Sequence, residues 1–129
     1  MKFTIVVYAA PYSSEAAHSA LQFTAALLKA GHEVYRLFFF GDGVHNANRF
    51  TVTATDEENL PLSWHRLILD NNLDAVVCVS SSLKRGLVDA SEAKRHDFDA
   101  GTLFDSSEIA GLGQLVDATT NSDRVVNFG

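Results

Sequence analysis

The only cysteine of this chain lies in the stretch AVVCVSSSLKRG, residues 75–86, where an apolar run gives way to three serines and two cations. The apolar run predicts a strand over residues 74–79. The serines begin a short helical turn, which Gly86 is placed to end. A strand that leads directly into a helical turn is typical of an α/β fold, so this stretch decides the predicted fold class.

The same alternation of strands and helices continues along the chain in both directions. Further strands are predicted at residues 2–9, 32–40 and 124–128. A first helix is predicted at residues 15–30, with Ser13 or Ser14 as N-cap and Gly31 as terminator. A second should start within residues 55–58 and end at residues 71–72, a third should cover residues 89–95, and residues 111–118 should start the last helix. Residues 41–49 are expected to form a turn-rich loop, and residues 96–107 a polar, irregular segment.

This alternation implies right-handed crossovers and a sheet that helices cover on both faces. We therefore expect a three-layer α/β/α sandwich with a mainly parallel sheet of about five strands. At 129 residues the chain is long enough to bury a core without disulfides or metal. Residues 1–129 are accordingly expected to form a single domain.

The charge balance disfavours a nucleic-acid-binding protein. The chain carries 16 acidic and 10 basic residues, which gives a formal net charge of −6. Proteins that bind nucleic acids gain most of their affinity from cations set against phosphates. No face rich in lysine or arginine is evident here, so we expect protein or small-molecule partners and no direct contact with DNA or RNA.

The cysteine content and the N-terminus indicate a reducing compartment. One cysteine cannot form an internal disulfide or a four-cysteine zinc site. Residues 1–8 lack the apolar region and cleavage site of a secretory signal, and no apolar stretch has the length of a membrane span. We expect a cytoplasmic protein without metal or cofactor; Gly111 and Gly113 alone are too short a motif for a dinucleotide fingerprint.

Cys78 is the first candidate for a functional residue. It lies one residue before the end of its predicted strand, at the carboxyl edge where α/β sheets gather their functional groups. A thiol reacts as the thiolate, which is favoured by the N–H groups of the following turn and by cations such as Lys84 and Arg85. The alternative is a structural Cys78 in the core, since free cysteines are among the most buried residues. Both interpretations stay open at this point.

Spacing separates the possible thiol chemistries. A cysteine phosphatase has an arginine after five intervening residues, but Lys84 occupies that position and lacks the bidentate guanidinium. A cysteine hydrolase needs a histidine base; His45 is the best placed, although a solvated loop histidine is the simpler interpretation. A phosphate site in the 10–14 loop is disfavoured because that loop has no glycine. Without a second cysteine, a single exposed thiol at the strand end suits a relay that receives from one partner and donates to the next.

Several short blocks stand out along the sequence. The most specific in combination are GDGVHNAN at 41–48, VCV at 77–79 and GLGQ at 111–114. They are accompanied by PY at 11–12, GHE at 31–33, RGLVD at 85–89 and DRVVNF at 123–128. Together these blocks resemble the TusD/DsrE family of sulfur-relay proteins nearly end to end. The chain departs from that family at Ser80, Ser81 and Ser82, where alanines are common.

The resemblance implies a DsrE-like, flavodoxin-like architecture and a sulfurtransferase that carries a persulfide on Cys78. It implies TusB-like and TusC-like subunits in a heterohexamer with two copies of each chain, a TusA-like sulfur donor and a TusE-like acceptor. The sulfur would end as the 2-thio group of the wobble uridine in tRNA. The alternatives are a DsrE-type subunit in dissimilatory sulfur oxidation, and a non-catalytic scaffold subunit in which Cys78 is inert.

Residues near Cys78 are assigned supporting roles because a persulfide anion needs hydrogen-bond donors or cations beside it. Backbone amides of the turn, with Ser80, Ser81, Lys84 and Arg85, are candidates for stabilising the persulfide anion. The simpler interpretations are turn serines and a solvated pair of cations. The aromatic run at residues 38–40 is more than one sheet face requires, which hints at burial against another subunit.

Overall fold

The computed structural model describes all residues from Met1 to Gly129 and contains one five-stranded sheet. The strands are β1 (Lys2–Val7), β2 (Glu33–Phe39), β3 (Ala75–Cys78), β4 (Glu108–Ala110) and β5 (Arg124–Phe128). They lie in the order β4-β3-β2-β1-β5, and every neighbouring pair is parallel. The predicted α/β fold with a parallel sheet of about five strands is confirmed.

Helices cover both faces of this sheet. They are α1 (Ala16–Lys29), a 3₁₀ helix (Gly41–Ala47), α2 (Leu60–Asn71), α3 (Val79–Lys84), α4 (Ala90–Arg95) and α5 (Gly113–Asn121). Helices α1 and α2 pack on one face with the 3₁₀ helix, and α5 lies on the other. None of the helices combines the length and the apolar character that a membrane span requires.

Two helices begin at residues other than those predicted. Helix α2 begins at Leu60 rather than within residues 55–58, since the Asn59 side chain accepts a hydrogen bond from the Leu62 N–H at 3.2 Å. Helix α1 has Glu15 at its N-cap position without a side-chain cap. The Ser14 hydroxyl only accepts a local hydrogen bond from the Ala16 N–H at 3.3 Å.

Two short elements of the structure, the 3₁₀ helix and strand β4, were not predicted from the sequence. Residues 41–49, predicted as a loop, begin with the 3₁₀ helix. Gly43 is needed there, because a Cβ atom would lie 1.8 Å from the carbonyl oxygen of Val7. Strand β4 was not predicted; its three residues are too few to show a periodic pattern, yet they pair with the end of β3 and place Ala110 opposite Cys78.

The two faces of the sheet are unequally packed. The face under α1 and α2 forms a core cluster of 18 buried residues, whereas the face under α5 has a cluster of three, Phe38, Val76 and Cys78. The aromatic run is divided between the faces, since Phe39 belongs to the larger cluster and Phe40 is only half-buried. Phe38 and Phe39 are therefore buried within the chain itself, which corrects the idea that the whole run awaits another subunit.

Candidate active site

Cys78 is the last residue of β3 and the N-cap residue of α3, one position closer to the strand end than predicted. Its side chain is only 1% exposed. Phe38 and Val76 enclose it together with the partly buried Phe40, Ala110 and Leu115. The expectation of an exposed thiol is therefore wrong for the chain by itself, because Cys78 belongs to a buried cluster on which residues of β4 and α5 pack.

The surroundings of the sulfur are polar on one side. The Cys78 Sγ lies 3.6 Å from the hydroxyl oxygen of Ser80. Ser80 is an exposed residue, whereas Cys78 is buried. Burial raises the pKa of the Cys78 thiol, but hydrogen bonds from the side chain and backbone of Ser81, and then of Ser80, lower it, and the net pKa is below that of an ordinary cysteine. The thiolate is thus favoured by donors of the turn.

Ser81 links the thiol to the neighbouring loop. Its hydroxyl oxygen accepts a hydrogen bond from the backbone N–H of Gly41 at 3.0 Å, and the side chain is buried. Because an N–H can only donate, the hydroxyl hydrogen of Ser81 remains free to point to the sulfur. Ser82 is different, since its hydroxyl donates to the carbonyl oxygen of Val79 at 3.0 Å and so serves the turn itself.

The two cations do not act on the sulfur. The Arg85 Nε donates to the Asp42 carboxylate at 2.9 Å, and another guanidinium nitrogen donates to the carbonyl oxygen of Ser81 at 3.0 Å. Arg85 therefore fastens the end of α3 to the 3₁₀ helix. Lys84 is exposed and makes no hydrogen bond or ion pair. Neither cation is among the groups that shift the pKa of Cys78. Of the five predicted supporting residues, His45 included, the structure brings only Ser80 and Ser81 to the sulfur.

His45 does not complete a cysteine–histidine pair. It lies half-buried in the 3₁₀ helix at the same edge of the sheet, as the sequence predicted. No hydrogen bond joins it to Cys78, and it is not among the groups that shift the pKa of that thiol. No group of three or more histidine, cysteine or acidic side chains is arranged to hold a metal ion. The arrangement thus offers one nucleophile with hydroxyl and amide donors around it.

Comparison with known proteins places this arrangement in a family. Residues 1–128 match the model of the DsrE/DsrF-like family. The chain belongs to the DsrE/DsrF-like family. It is 46% identical over 129 residues to a "Sulfurtransferase TusD homolog" of Pseudomonas aeruginosa, covering 100% of this chain and 98% of the relative. It is 43% identical to a DsrE protein of Allochromatium vinosum, covering 100% and 99%.

A solved structure confirms the fold of this DsrE/DsrF-like chain. The crystal structure of the ychN protein from E. coli superposes with a TM-score of 0.76 and covers 99% of each chain. At 23% sequence identity this likeness concerns the fold alone. The predicted family is confirmed by the full-length relatives, and the predicted sulfurtransferase class agrees with the name of the Pseudomonas relative.

Sequence reasoning on this DsrE/DsrF-like chain missed residues that pack on the cluster around Cys78. Leu115 and Ala110 come more than thirty positions after Cys78, and no local pattern connects them to it. One signal was present in Arg36, a cation inside the otherwise apolar strand β2. A charge at such a position needs partners, and Arg36 finds them in Asp74 and Asp117.

The 10–14 loop borders an open cavity of about 620 Å³. Its lining includes Tyr12, His18 and the carboxylates of Glu15, Glu57 and Glu58. Three carboxylates repel a phosphate, so this cavity does not support the phosphate-binding alternative. The cavity does not include Cys78, and the sulfur chemistry has to be sought at the end of β3.

Proposed function

We propose that this chain is a sulfurtransferase subunit that accepts sulfur as a persulfide on Cys78 and passes it to a partner protein. The observation that carries the proposal is the single thiol of the chain at the end of β3, with a pKa lowered by Ser81 and Ser80. The DsrE/DsrF-like family and a full-length relative named as a sulfurtransferase support the same reaction class.

The transfer consists of two displacements at sulfur. The Cys78 thiolate attacks the outer sulfur of a donor persulfide; a new S–S bond forms, the donor's S–S bond breaks, and the donor leaves as a thiolate. An acceptor thiolate then attacks the terminal sulfur of the Cys78 persulfide and releases the Cys78 thiolate. No electron acceptor is needed, because one S–S bond is exchanged for another in each step.

Ser80 and Ser81 have a defined part in these steps. Their hydroxyl and backbone N–H groups stabilise the negative charge on Cys78 Sγ before attack and when it leaves. With no second cysteine in the chain, the persulfide cannot be resolved internally. The sulfur therefore leaves on a thiol of another molecule, which makes the chain a relay.

The proposed partners follow the family assignment and the unequal packing of the sheet. We assign TusB-like and TusC-like subunits in a heterohexamer, a TusA-like donor and a TusE-like acceptor. The thinly packed face under α5, with Leu112 and Val116 exposed, supports contact with other subunits. The net charge of −6 supports a role in which the chain hands on sulfur without binding the tRNA itself, and we propose the cytoplasm as its location.

The destination of the sulfur is proposed to be the 2-thio group of the wobble uridine in tRNA. A DsrE-type role in dissimilatory sulfur oxidation is the second candidate. One observation favours keeping it, namely that identity to the Allochromatium DsrE protein is 43% against 46% for the Pseudomonas TusD homolog. Restoration of 2-thiouridine in a strain that lacks its own TusD-like subunit separates the two roles, since only the first predicts rescue.

Persulfide loading tests the reaction directly. The reduced protein is incubated with a donor protein whose persulfide carries radioactive sulfur, and the label and intact mass are measured without reducing agent. We expect one added sulfur on the wild type, its release by an external thiol, and none on Cys78→Ser. Ser82→Ala serves as a matched control, because that hydroxyl belongs to the turn and does not face the sulfur. Equal labelling of Cys78→Ser would refute the proposal.

A further inference from the structure

Helix α5 is held on the sheet mainly by polar contacts. Ala118 is its one fully buried residue, while Leu112 and Val116 are 51% and 64% exposed. Gly111 and Gly113 stand in open space, with nothing within 4 Å of an added Cβ. A nine-residue helix with so little buried apolar surface gains only a small part of its docking energy from the hydrophobic effect.

A buried cation in the sheet provides the contacts that α5 otherwise lacks. The Arg36 guanidinium is fixed by Asp74, with nitrogen–oxygen distances of 2.8 and 3.2 Å. Its remaining nitrogen donates to the carboxylate of Asp117 at 3.0 Å and to the carbonyl oxygen of Gln114 at 2.8 Å. The Tyr35 hydroxyl donates to the same Asp117 oxygen at 2.8 Å. These contacts, which we call the Arg36–Asp117 clamp, hold the middle of α5.

The far end of α5 has a separate anchor. The Thr4 hydroxyl on β1 donates to the carbonyl oxygen of Ala118 at 3.5 Å and is paired with the Ser122 hydroxyl. The first turn of the helix, which contains Leu115, has no such anchor beyond the Arg36–Asp117 clamp. The C-terminal end of α5 thus has contacts that do not depend on the Arg36–Asp117 clamp.

The N-terminal half of α5 packs on the cluster that contains the sulfur. Ala110 pairs with Cys78 across the sheet, the chain then runs into α5, and Leu115 packs on the Phe38–Cys78 cluster. A displacement at sulfur needs the incoming thiolate to approach the Sγ atom, or its outer sulfur, directly. With Cys78 only 1% exposed, a group of the chain has to move before a partner's cysteine can reach it.

We propose that the N-terminal half of α5 is a movable cover over Cys78, and that Arg36 and Asp117 are positioning residues that set how often it opens. The inference rests on the proposed function in that Cys78 is the reacting thiol. Closure keeps the sulfur away from solvent, and opening admits the donor or the acceptor. The clamp acts on the reaction only through the position of Leu115 and does not touch the sulfur.

Native-state alkylation measures the opening, because Cys78 is the only thiol of the chain. The reduced protein is treated with iodoacetamide, and the modified fraction is followed by mass spectrometry at several urea concentrations below the unfolding transition. We expect Asp117→Ala to be alkylated about threefold to tenfold faster than the wild type. The substitution removes the hydrogen bonds that the half-exposed Asp117 carboxylate accepts from Tyr35 and Arg36, and α5 should therefore open more often. Asp70→Ala, a substitution at an exposed position on α2, is the control and is expected to leave the alkylation rate unchanged.

The urea dependence separates a local cover from unfolding of the whole chain. Local opening exposes little surface, so the alkylation rate should rise only weakly with urea, far less than the population of unfolded protein does. Tyr35→Phe, which removes one hydrogen bond of the clamp, should give a smaller increase and provides a milder variant if Asp117→Ala folds poorly.

Two results would overturn the cover. The first is alkylation of the wild type as fast as a free thiol with the same pKa, because the sulfur would then be open already. The second is a rate that changes among the variants only in proportion to their global stability, with the full urea dependence of unfolding. Alkylation requires no sulfur donor, so a failure of the cover is distinguishable from a failure of sulfur loading.

Discussion

Removal of the Ser81 hydroxyl tests the electrostatics of the site most directly. In Ser81→Ala, the Cys78 thiolate loses a donor, and the backbone N–H of Gly41 loses its acceptor. A hydrogen bond to an ionised group contributes about 1.5–3 kcal/mol, and about 1.4 kcal/mol corresponds to a factor of ten. We therefore expect about a tenfold or larger loss of thiolate at neutral pH.

The assay follows the ultraviolet absorbance of the thiolate as pH rises, with Cys78→Ser subtracted to remove the tyrosines. The Ser81→Ala curve should lie at higher pH than the wild-type curve, and sulfur loading should be slow at neutral pH but recover where both proteins are fully ionised. Ser82→Ala is the matched control, because it removes a buried turn hydroxyl whose partner is the Val79 carbonyl. Coincident curves for Ser81→Ala and the wild type, or an equal displacement in Ser82→Ala, would refute the reasoning.

Two further predictions concern stability. The hydroxyl of Tyr35 and then the guanidinium of Arg36 lower the pKa of Asp117. The ionised Asp117 therefore contributes fully to the free energy of unfolding above the ordinary aspartate pKa, and this contribution is lost as pH falls through the lowered pKa. In urea unfolding, wild type and Asp117→Asn should differ at neutral pH and converge in acid, and a difference that stays constant with pH would contradict this. Gly43→Ala places a methyl group against a carbonyl oxygen at the end of β1 and should lower the free energy of unfolding by about 1–3 kcal/mol. Gly111→Ala, which meets open space, should change it little, and equal losses in both variants would contradict the packing argument.

The parts of the fold that were predictable from sequence are those in which burial and periodicity coincide. Strands β1, β2, β3 and β5 are apolar or β-branched runs bounded by turn residues, and each was placed within two residues of its observed ends. Strand β4 has only Glu108, Ile109 and Ala110, and its pairing depends on the tertiary position of β3. A pattern of three residues carries no period, so the element could not be found locally.

The candidate site shows the same division between local and distant causes. The turn after Cys78 could be predicted to supply donors, because Ser80 and Ser81 follow directly in sequence. The burial of the thiol could not, since residues packed on its cluster, such as Ala110 and Leu115, lie far from Cys78 in the sequence. The role expected for Arg85 is not found for a related reason, because its guanidinium is bound to Asp42 on a separate element. Lys84 is exposed and is not among the groups that shift the Cys78 pKa.

Burial and ionisation together distinguish a reactive Cys78 from an inert one. A cysteine that only fills the core has its pKa raised, because burial disfavours the thiolate and nothing compensates for it. In this chain burial has that effect, but the donors of Ser81 and Ser80 exceed it. A scaffold subunit has no use for donors aimed at a thiolate, whereas a sulfur carrier needs them each time Cys78 attacks or leaves. The lowered pKa of a buried thiol therefore favours the proposed relay over the scaffold.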